Sequence, residues 1–491
     1  MLFNSTEFLI FLPITLILYW IFPKKYRYIC LFIASYTFYM FWNPKYALLM
    51  GISTVVTFLS GILIEKLKYK RIVVAFSFII NLAILIFFKY FDFLLQNINI
   101  VLSVLNIQLI NKPFDIILPV GISFYTFQAL SYTIDVYRGE IKSEKNIVKY
   151  ALFVSFFPQL VAGPIERSKN LLIQIENLEK VKRFDYDRIT EGLILMLFGY
   201  FQKMVIADRA SILVDTVFNG YYEYNSIALI LAAIFFAIQI YCDFGSYSLI
   251  AIGTAKVMGI NLMENFNTPY FARSVKEFWS RWHISLSTWF RDYLYIPLGG
   301  NRCSKVRKSF NILVTFLVSG LWHGANFTFI AWGAIHGIFH IIEEQLKPIK
   351  EKYLNKFNIK TNAFSFIILE IIITFIIVDL AWIFFRAETI HDALLYIKRI
   401  FTRIDLWTLF DGTLYNFGLN IFEMNILIIA LFILVSFDLI KYIRKESIFD
   451  FLSRQNLYFR WFVMLFLILY IIVYGKYGAG FDPKQFIYFQ F

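Results

Sequence analysis

Long apolar stretches recur along almost the whole of the 491-residue chain. Clear examples are residues 8–22, 28–42, 72–88, 227–240, 364–385, 426–440 and 461–474. In hydrocarbon every backbone polar group must be satisfied internally, so apolar runs of this length predict transmembrane helices. Several stretches are shorter than the roughly 20 residues that a perpendicular span needs, which indicates tilted or re-entrant segments. We therefore predict an all-α polytopic membrane protein with roughly ten to twelve transmembrane and re-entrant helices.

The composition agrees with this class and argues against others. Hydrophobic residues make up 59% of the chain and charged residues 16%, far from the balance of a soluble domain. The net charge of +13 is better explained by basic cytoplasmic loops than by nucleic-acid binding. The three cysteines, Cys30, Cys242 and Cys303, show no Cys-x-x-Cys spacing and predict neither a disulfide framework nor a redox role.

Basic residues also predict the orientation in the membrane. The first predicted span is followed by Lys24, Lys25 and Arg27. The third predicted span begins after the link at residues 43–46 and is followed by Lys66, Lys68, Lys70 and Arg71. Lys and Arg concentrate in cytoplasmic loops, so we expect the N-terminus to lie outside. The first stretch lacks the basic start and the small-residue cleavage pattern of a secretory signal, and we expect it to be retained as the first span.

Residues 309–342 contain no Asp, Glu, Lys or Arg, and His323 lies near their midpoint within SGLWHGAN. Basic stretches flank this segment on both sides, which predicts that both of its ends are cytoplasmic. Its 34 residues reach about 51 Å as helix, less than two passes of a ~30 Å core, so we predict a short or re-entrant hairpin. Gly324-Ala325-Asn326 is the natural break. A histidine deep in the bilayer such as His323 either forms a hydrogen bond between helices or is neutral and acts as a general base.

A second informative stretch, residues 264–302, combines basic and aromatic residues. Phe278, Trp282, Leu286, Trp289 and Tyr293 recur at helical spacing, which predicts one amphipathic helix on the inner interface with His283 beside its apolar face. Such a helix is commonly a membrane anchor. The alternative function is recognition of a phosphate-bearing donor, with Arg281, Arg291, Trp282 and Trp289 as candidate contacts.

Taken together, these motifs resemble the membrane-bound O-acyltransferase family, and within it the alginate and peptidoglycan O-acetyltransferase subunits. The resemblance is carried by FWSRWHISLSTWFRDYLYIPLGG from Phe278, by SGLWHGAN from Ser319, and by matching runs at residues 118–139, 158–167 and 486–491. One stretch departs from the family pattern: in residues 241–253, Gly245-Ser246 is reordered and Leu249 replaces a second Asp, while Asp243 still matches. Any role carried over to position 249 is therefore in doubt.

The resemblance implies a ring of tilted helices around a central tunnel, within a single transmembrane domain over residues 1–491. We expect N-terminal spans in 1–115, a catalytic core in 116–345 and C-terminal spans in 346–491. His323 matches the catalytic histidine of the family, and His283 its second active-site position, which orients the donor or hydrogen-bonds the oxyanion. Further residues expected along the substrate tunnel are Trp322, Asn326, His336 and Asp243.

The function implied is transfer of an acetyl group from cytoplasmic acetyl-CoA to an extracytoplasmic hydroxyl of a polysaccharide, through an SGNH-type partner. The location implied is the cytoplasmic (inner) membrane of a bacterium, in contact with lipid. No bound cofactor and no nucleic-acid partner is expected.

Three alternatives stay open. D-alanyl transfer from a carrier protein to teichoic acid keeps the fold and changes the donor. A transporter or flippase also has polar residues at depth, but paired helix interruptions in two halves are not seen. His336, His340 and Glu344 share one helical face, so a metal site is geometrically allowed, although His-Glu-x-x-His is absent and we predict no metal. His391 lies in a polar connector and is expected to be solvated.

Overall fold

The computed structural model describes residues 1–113 and 115–477, and the regular structure in them is helical. The described residues divide into two compact units, the first formed by Met1–Met196 and Tyr247–Met263 and the second by Leu197–Ser246 and residues 264–477. The single-domain subdivision expected from the sequence stays a prediction. The run at residues 486–491 lies outside the described residues.

The first unit contains the N-terminal helices. They are α1 (Thr6–Ile21), α2 (Arg27–Met40), α3 (Pro44–Lys66), α4 (Lys70–Val104), α5 (Ile122–Arg138), α6 (Ile147–Ser155), α7 (Ser168–Glu176) and most of α8 (Tyr186–Tyr200). Helices α3 and α5 pack closely because Gly61 lies against the side chain of Tyr132, whose hydroxyl oxygen would lie 2.5 Å from a Cβ at position 61. The loop after α6 is fixed by the buried Glu166, which accepts hydrogen bonds from the Met263 backbone and from Asn170.

The second unit contains the remaining helices. They are α9 (Asp208–Asn219), the first part of α10 (Ser226–Val257), α11 (Val275–Arg281), α12 (Ile284–Phe290), α13 (Lys305–His323), α14 (Phe327–Lys356), α15 (Phe364–Arg386), α16 (Ile390–Thr402), α17 (Ile421–Arg444), α18 (Ile448–Ser453) and α19 (Leu457–Tyr474). Within the described part of the chain, two π-helical segments, Phe201–Ala207 and Arg291–Tyr295, interrupt the α-helical pattern.

Each of the seven apolar stretches predicted from the sequence lies in a helix to within one turn. By length and composition, seven helical segments of the described residues are suited to crossing a membrane: Pro44–Lys66, Lys70–Val104, Tyr186–Asn219, Ser226–Val257, Phe364–Arg386, Ile421–Arg444 and Leu457–Tyr474. Thr6–Ile21 is apolar but shorter. These segments confirm an all-α multi-pass membrane protein. The larger number of roughly ten to twelve spans and the orientation stay predictions.

Burial differs strongly among these helices. In the most apolar window of Ser226–Val257, 72% of the residues are buried, whereas the figure for Leu457–Tyr474 is 11%. An exposed surface as apolar as that of α19 is stable against lipid tails and unstable against water. The exposed side chains of α19, such as Phe462 and Leu469, are therefore assigned to the lipid-facing surface.

Candidate active site

Helices α13 and α14 form the hairpin predicted from the charge-free segment. Helix α13 ends at His323, α14 begins at Phe327, and Gly324-Ala325-Asn326 forms the turn between them. The Asn326 side chain caps α14 by accepting a hydrogen bond from the Thr328 N–H at 3.1 Å. Asn326, expected along the substrate tunnel, is therefore engaged in shaping the turn.

Glycines allow the two arms of the hairpin to pack closely. A Cβ at Gly320 would lie 2.2 Å from the Phe329 carbonyl oxygen, and one at Gly333 would lie 2.3 Å from that of Phe316. These contacts pair the end of α13 with the start of α14, so the helices run antiparallel. At the other end of the hairpin Lys308 and Glu344 form an ion pair between the arms. Small residues at these positions let the two helix backbones approach closely.

His323 is buried among aromatic rings at the closed end of the hairpin. Its side chain is 5% exposed. The ring centroids of Trp322 and Trp332 lie 5.0 Å away and that of Phe385 lies 5.5 Å away. Such surroundings disfavour an imidazolium and favour the neutral ring that a general base requires.

His283 lies close to His323 in the same unit. The two imidazole centroids are 6.2 Å apart, and Trp322 lies beside both rings. His283 is fully buried, and burial lowers its pKa to about 3. Its Nδ1 lies 3.1 Å from Oδ1 of Asn265. The structure thus brings together the two histidines that the sequence placed 40 positions apart.

The backbone around His283 differs from the single interfacial helix predicted from the sequence. Helices α11 and α12 are separate, and His283 between them has φ +43°, in the left-handed region. The prediction of one continuous helix is wrong because the break lets both sides of the motif pack inward. Trp282 is 1% exposed and stacks on Phe278 at 5.5 Å, which excludes an apolar face directed at lipid.

His336 is enclosed by a cage of aromatic side chains. Its ring lies 5.1 Å from both Trp279 and Trp332, 6.1 Å from Phe278 and 6.3 Å from Trp382. The side chain is fully buried, and neither ring nitrogen has a hydrogen-bond partner in the described part of the chain. His336 is thus linked to His323 through the shared neighbour Trp332.

One helical turn beyond His336, His340 lines a cavity of about 1560 Å³. Helices α11, α14, α15 and α17 contribute to its walls, and its charged lining includes Arg273, Lys276, Glu277, Arg281, Glu343, Lys347, Lys350 and Lys441. Many of the cations already have carboxylate partners: Arg281 donates to Glu277 at 2.8 Å, and Arg273 pairs with Glu370 at 2.6 Å. Groups of three or more His, Cys, Asp or Glu placed to hold a metal ion are not found among the described residues.

The other residues named from the sequence lie outside this cavity. Arg291 is exposed and pairs with the neighbouring Asp292 at 2.8 Å. Trp289 packs on Phe290 and Tyr293. Asp243 is buried and forms an ion pair with Lys203 at 2.5 Å, which also contacts Asp208 at 2.8 Å. The buried cation accounts for the carboxylate at position 243 without a substrate contact.

Sequence reasoning missed several residues of the site. Trp332 lies one turn before His336, so the period of α14 could have indicated it, whereas Trp382 is far away in sequence and carries no local signal. Asn265 precedes His283 by 18 positions, and only the fold reveals their contact. Lys276 was passed over in favour of Arg281, although it lines the cavity without an ion-pair partner in the described residues.

Comparisons with known proteins give consistent results. The model of the membrane-bound O-acyltransferase family matches residues 137–381, a range that includes both histidines. The probable alginate O-acetylase of Pseudomonas aeruginosa is 38% identical over 448 residues, 89% of this chain and 82% of that protein. The peptidoglycan O-acetyltransferase of Helicobacter pylori is 35% identical over 81% of this chain and 79% of its own. The teichoic acid D-alanyltransferase of Bacillus subtilis is 27% identical over 57% of this chain and 72% of its own.

Proposed function

The chain belongs to the membrane-bound O-acyltransferase family, and we propose that this acyltransferase moves an acetyl group from acetyl-CoA to a polysaccharide hydroxyl across a bacterial cytoplasmic membrane. The observation that carries the proposal is the pair of buried imidazoles, His283 and His323, 6.2 Å apart at the closed end of a hairpin. The acetyl donor and the polysaccharide acceptor are supported by relatives named as O-acetylases of alginate and peptidoglycan. Similarity to the D-alanyltransferase is lower and covers less of the chain.

In the proposed reaction His323 acts as the general base. It takes the proton of the acceptor hydroxyl while that oxygen attacks the thioester carbonyl of acetyl-CoA. The tetrahedral intermediate then collapses, the C–S bond breaks, and the CoA thiolate takes the proton from His323. The hydroxyl proton therefore ends on the leaving thiol, and the reaction neither releases nor takes up a proton.

The polar cavity beside His340 is the proposed entrance for the donor. Its basic side chains suit the phosphates of CoA, and the hairpin ends that border it carry the basic residues expected on the cytoplasmic side. Within this cavity, the phosphate role first assigned to Arg281 and Arg291 passes to Lys276, because Arg281 is held by Glu277 and Arg291 lies elsewhere. An extracytoplasmic SGNH-type protein is proposed to receive the acetyl group and pass it to the glycan.

The proposal is tested with inside-out membrane vesicles given acetyl-labelled CoA. We expect the label to appear in an alkali-labile ester on the lumenal side. The variant His323→Ala lowers the rate by about 10²–10⁴-fold, the usual contribution of a positioned base. His391→Ala is the matched control, since His391 is exposed and lies in the first turn of α16, and not in the polar connector expected from the sequence.

Two results contradict the proposal. If folded His323→Ala protein transfers acetyl groups at an unchanged rate, His323 is not the general base. Transfer of D-alanine from a carrier protein, without transfer from acetyl-CoA, replaces the acetyl donor with the D-alanyl donor.

A further inference from the structure

Asn265 organises the turn that presents His283. Its backbone carbonyl accepts from the Ile284 N–H at 3.0 Å. Its side-chain Oδ1 accepts from the Ser285 N–H at 3.3 Å and from the Ser285 hydroxyl at 2.9 Å, and lies 3.1 Å from Nδ1 of His283. A left-handed conformation is unfavourable for a residue with a side chain and persists only where the surroundings impose it. Asn265, 1% exposed, supplies that constraint.

The hydrogen bonds around Asn265 also determine where the proton of His283 lies. The Ser285 N–H can only donate, so the amide atom that faces it is the oxygen. An amide oxygen carries no hydrogen, so the hydrogen between Oδ1 and Nδ1 belongs to the imidazole. A neutral ring has one N–H, and in His283 that N–H is at Nδ1.

We propose that Asn265 is a positioning residue which holds His283 as the Nδ1–H tautomer, so that His283 presents Nε2 to the reaction as a hydrogen-bond acceptor. This inference rests on the proposed acyl transfer for its catalytic meaning. The tautomer itself follows from the geometry alone.

The tautomer decides between the two roles that the sequence left open for His283. An oxyanion is stabilised by donors, and a neutral imidazole protonated at Nδ1 has only a lone pair at Nε2. His283 is therefore suited to a group that carries a hydrogen, such as the acceptor hydroxyl or an amide N–H of the donor. In the proposed reaction the donor to the oxyanion is His323, which holds the hydroxyl proton at the moment when negative charge develops.

The tautomer can be measured by solid-state nitrogen NMR of the full chain, labelled with ¹⁵N-histidine and reconstituted in lipid bilayers. The chain has five histidines, and the difference spectrum against His283→Gln assigns the ring of interest. We expect a protonated Nδ1 and an unprotonated Nε2 in the wild-type protein. A protonated Nε2 on neutral His283 overturns the inference.

Variants then separate positioning from packing. Asn265→Leu removes the acceptor, and we expect loss of the Nδ1–H signal together with a fall in kcat of about 10- to 100-fold, the range known for second partners of metal-bound histidines. Asn265→Asp keeps an acceptor facing Nδ1 and Ser285, so we expect it to retain the Nδ1–H signal and most of the activity. Equal loss in Asn265→Asp and Asn265→Leu contradicts the positioning role.

Ser285→Ala tests the same network when Asn265→Leu does not fold. It removes the hydroxyl that helps to orient the amide, and we expect a partial shift of the tautomer toward Nε2–H. The matched control is Ser287→Ala on the same helix, whose hydroxyl bonds the Trp282 carbonyl at 3.2 Å and leaves Asn265 untouched. An identical tautomer in Ser285→Ala and Ser287→Ala contradicts the inference.

Failure of this inference is distinguishable from failure of the proposed function. If the wild-type protein transfers acetyl groups and Nε2 of His283 is protonated, the proposed function holds and the positioning role of Asn265 is wrong. A protonated Nδ1 in a protein that transfers no acetyl group removes the function and, with it, the catalytic meaning of the tautomer.

Discussion

Individual side chains in the donor cavity differ in how free they are to bind an anion. The guanidinium of Arg281 donates to Glu277 through two nitrogens, and its remaining nitrogen donates to Thr268 at 3.0 Å. Lys276, on the previous turn of α11, is exposed and has no ion-pair partner among residues 1–113 and 115–477. Binding a phosphate at Arg281 requires breaking an existing pair, whereas Lys276 needs only to shed water.

We expect Lys276→Gln to raise the KM for acetyl-CoA by about 2- to 5-fold with little change in kcat, because one exposed ion pair contributes about 1 kcal/mol or less. The measurement is initial-rate kinetics in vesicles over a range of donor concentrations. Lys356→Gln is the control, since Lys356 is exposed at the end of α14 and does not line the cavity. A reduced kcat with an unchanged KM is incompatible with donor binding by Lys276.

At the scale of elements, the hairpin of α13 and α14 depends on glycines more than on any polar contact. Helix α13 is about 28 Å long, close to the ~30 Å hydrocarbon thickness. It therefore places His323 far from the basic residues at the start of the helix. Without a hydrophobic driving force between helices in lipid, close packing at small residues holds such arms together. Trp332 on α14 then contacts His323 on α13 only while the arms stay in contact.

We expect Gly333→Ala to destabilise the protein by about 1–3 kcal/mol and to lower acyl transfer, because the added methyl would meet the Phe316 carbonyl at 2.3 Å and force the arms apart. Thermal unfolding in detergent and vesicle activity measure the two effects. Gly51→Ala on α3 is the matched control, because its added Cβ would meet only the Tyr36 hydroxyl, at 4.0 Å. Equal stability of the two variants would mean that the packing of α13 on α14 is not limiting.

At the scale of the whole molecule, the features that could be predicted from the sequence were those that depend on local composition and on the spacing of apolar residues. Apolar stretches predicted the helices, flanking charge predicted the hairpin, and Gly324-Ala325-Asn326 correctly predicted its turn. The break at His283 was not predicted, because a left-handed histidine arises from hydrogen bonds to Asn265, which is distant in sequence. The aromatic cage of His336 was missed for the same reason, since Trp382 comes from another helix.

The orientation of the chain is the last expectation, and α15 offers a direct test. It has 23 residues, about 34 Å of helix, enough to cross the ~30 Å core once. In a Cys303→Ser background, we expect a membrane-impermeant maleimide to label Lys352→Cys only in inside-out vesicles and Glu388→Cys only in intact cells, because both positions are exposed and lie on either side of this span. The reverse labelling pattern would mean that the chain has the opposite orientation. Labelling of both cysteines from the same side would mean that α15 does not cross the membrane.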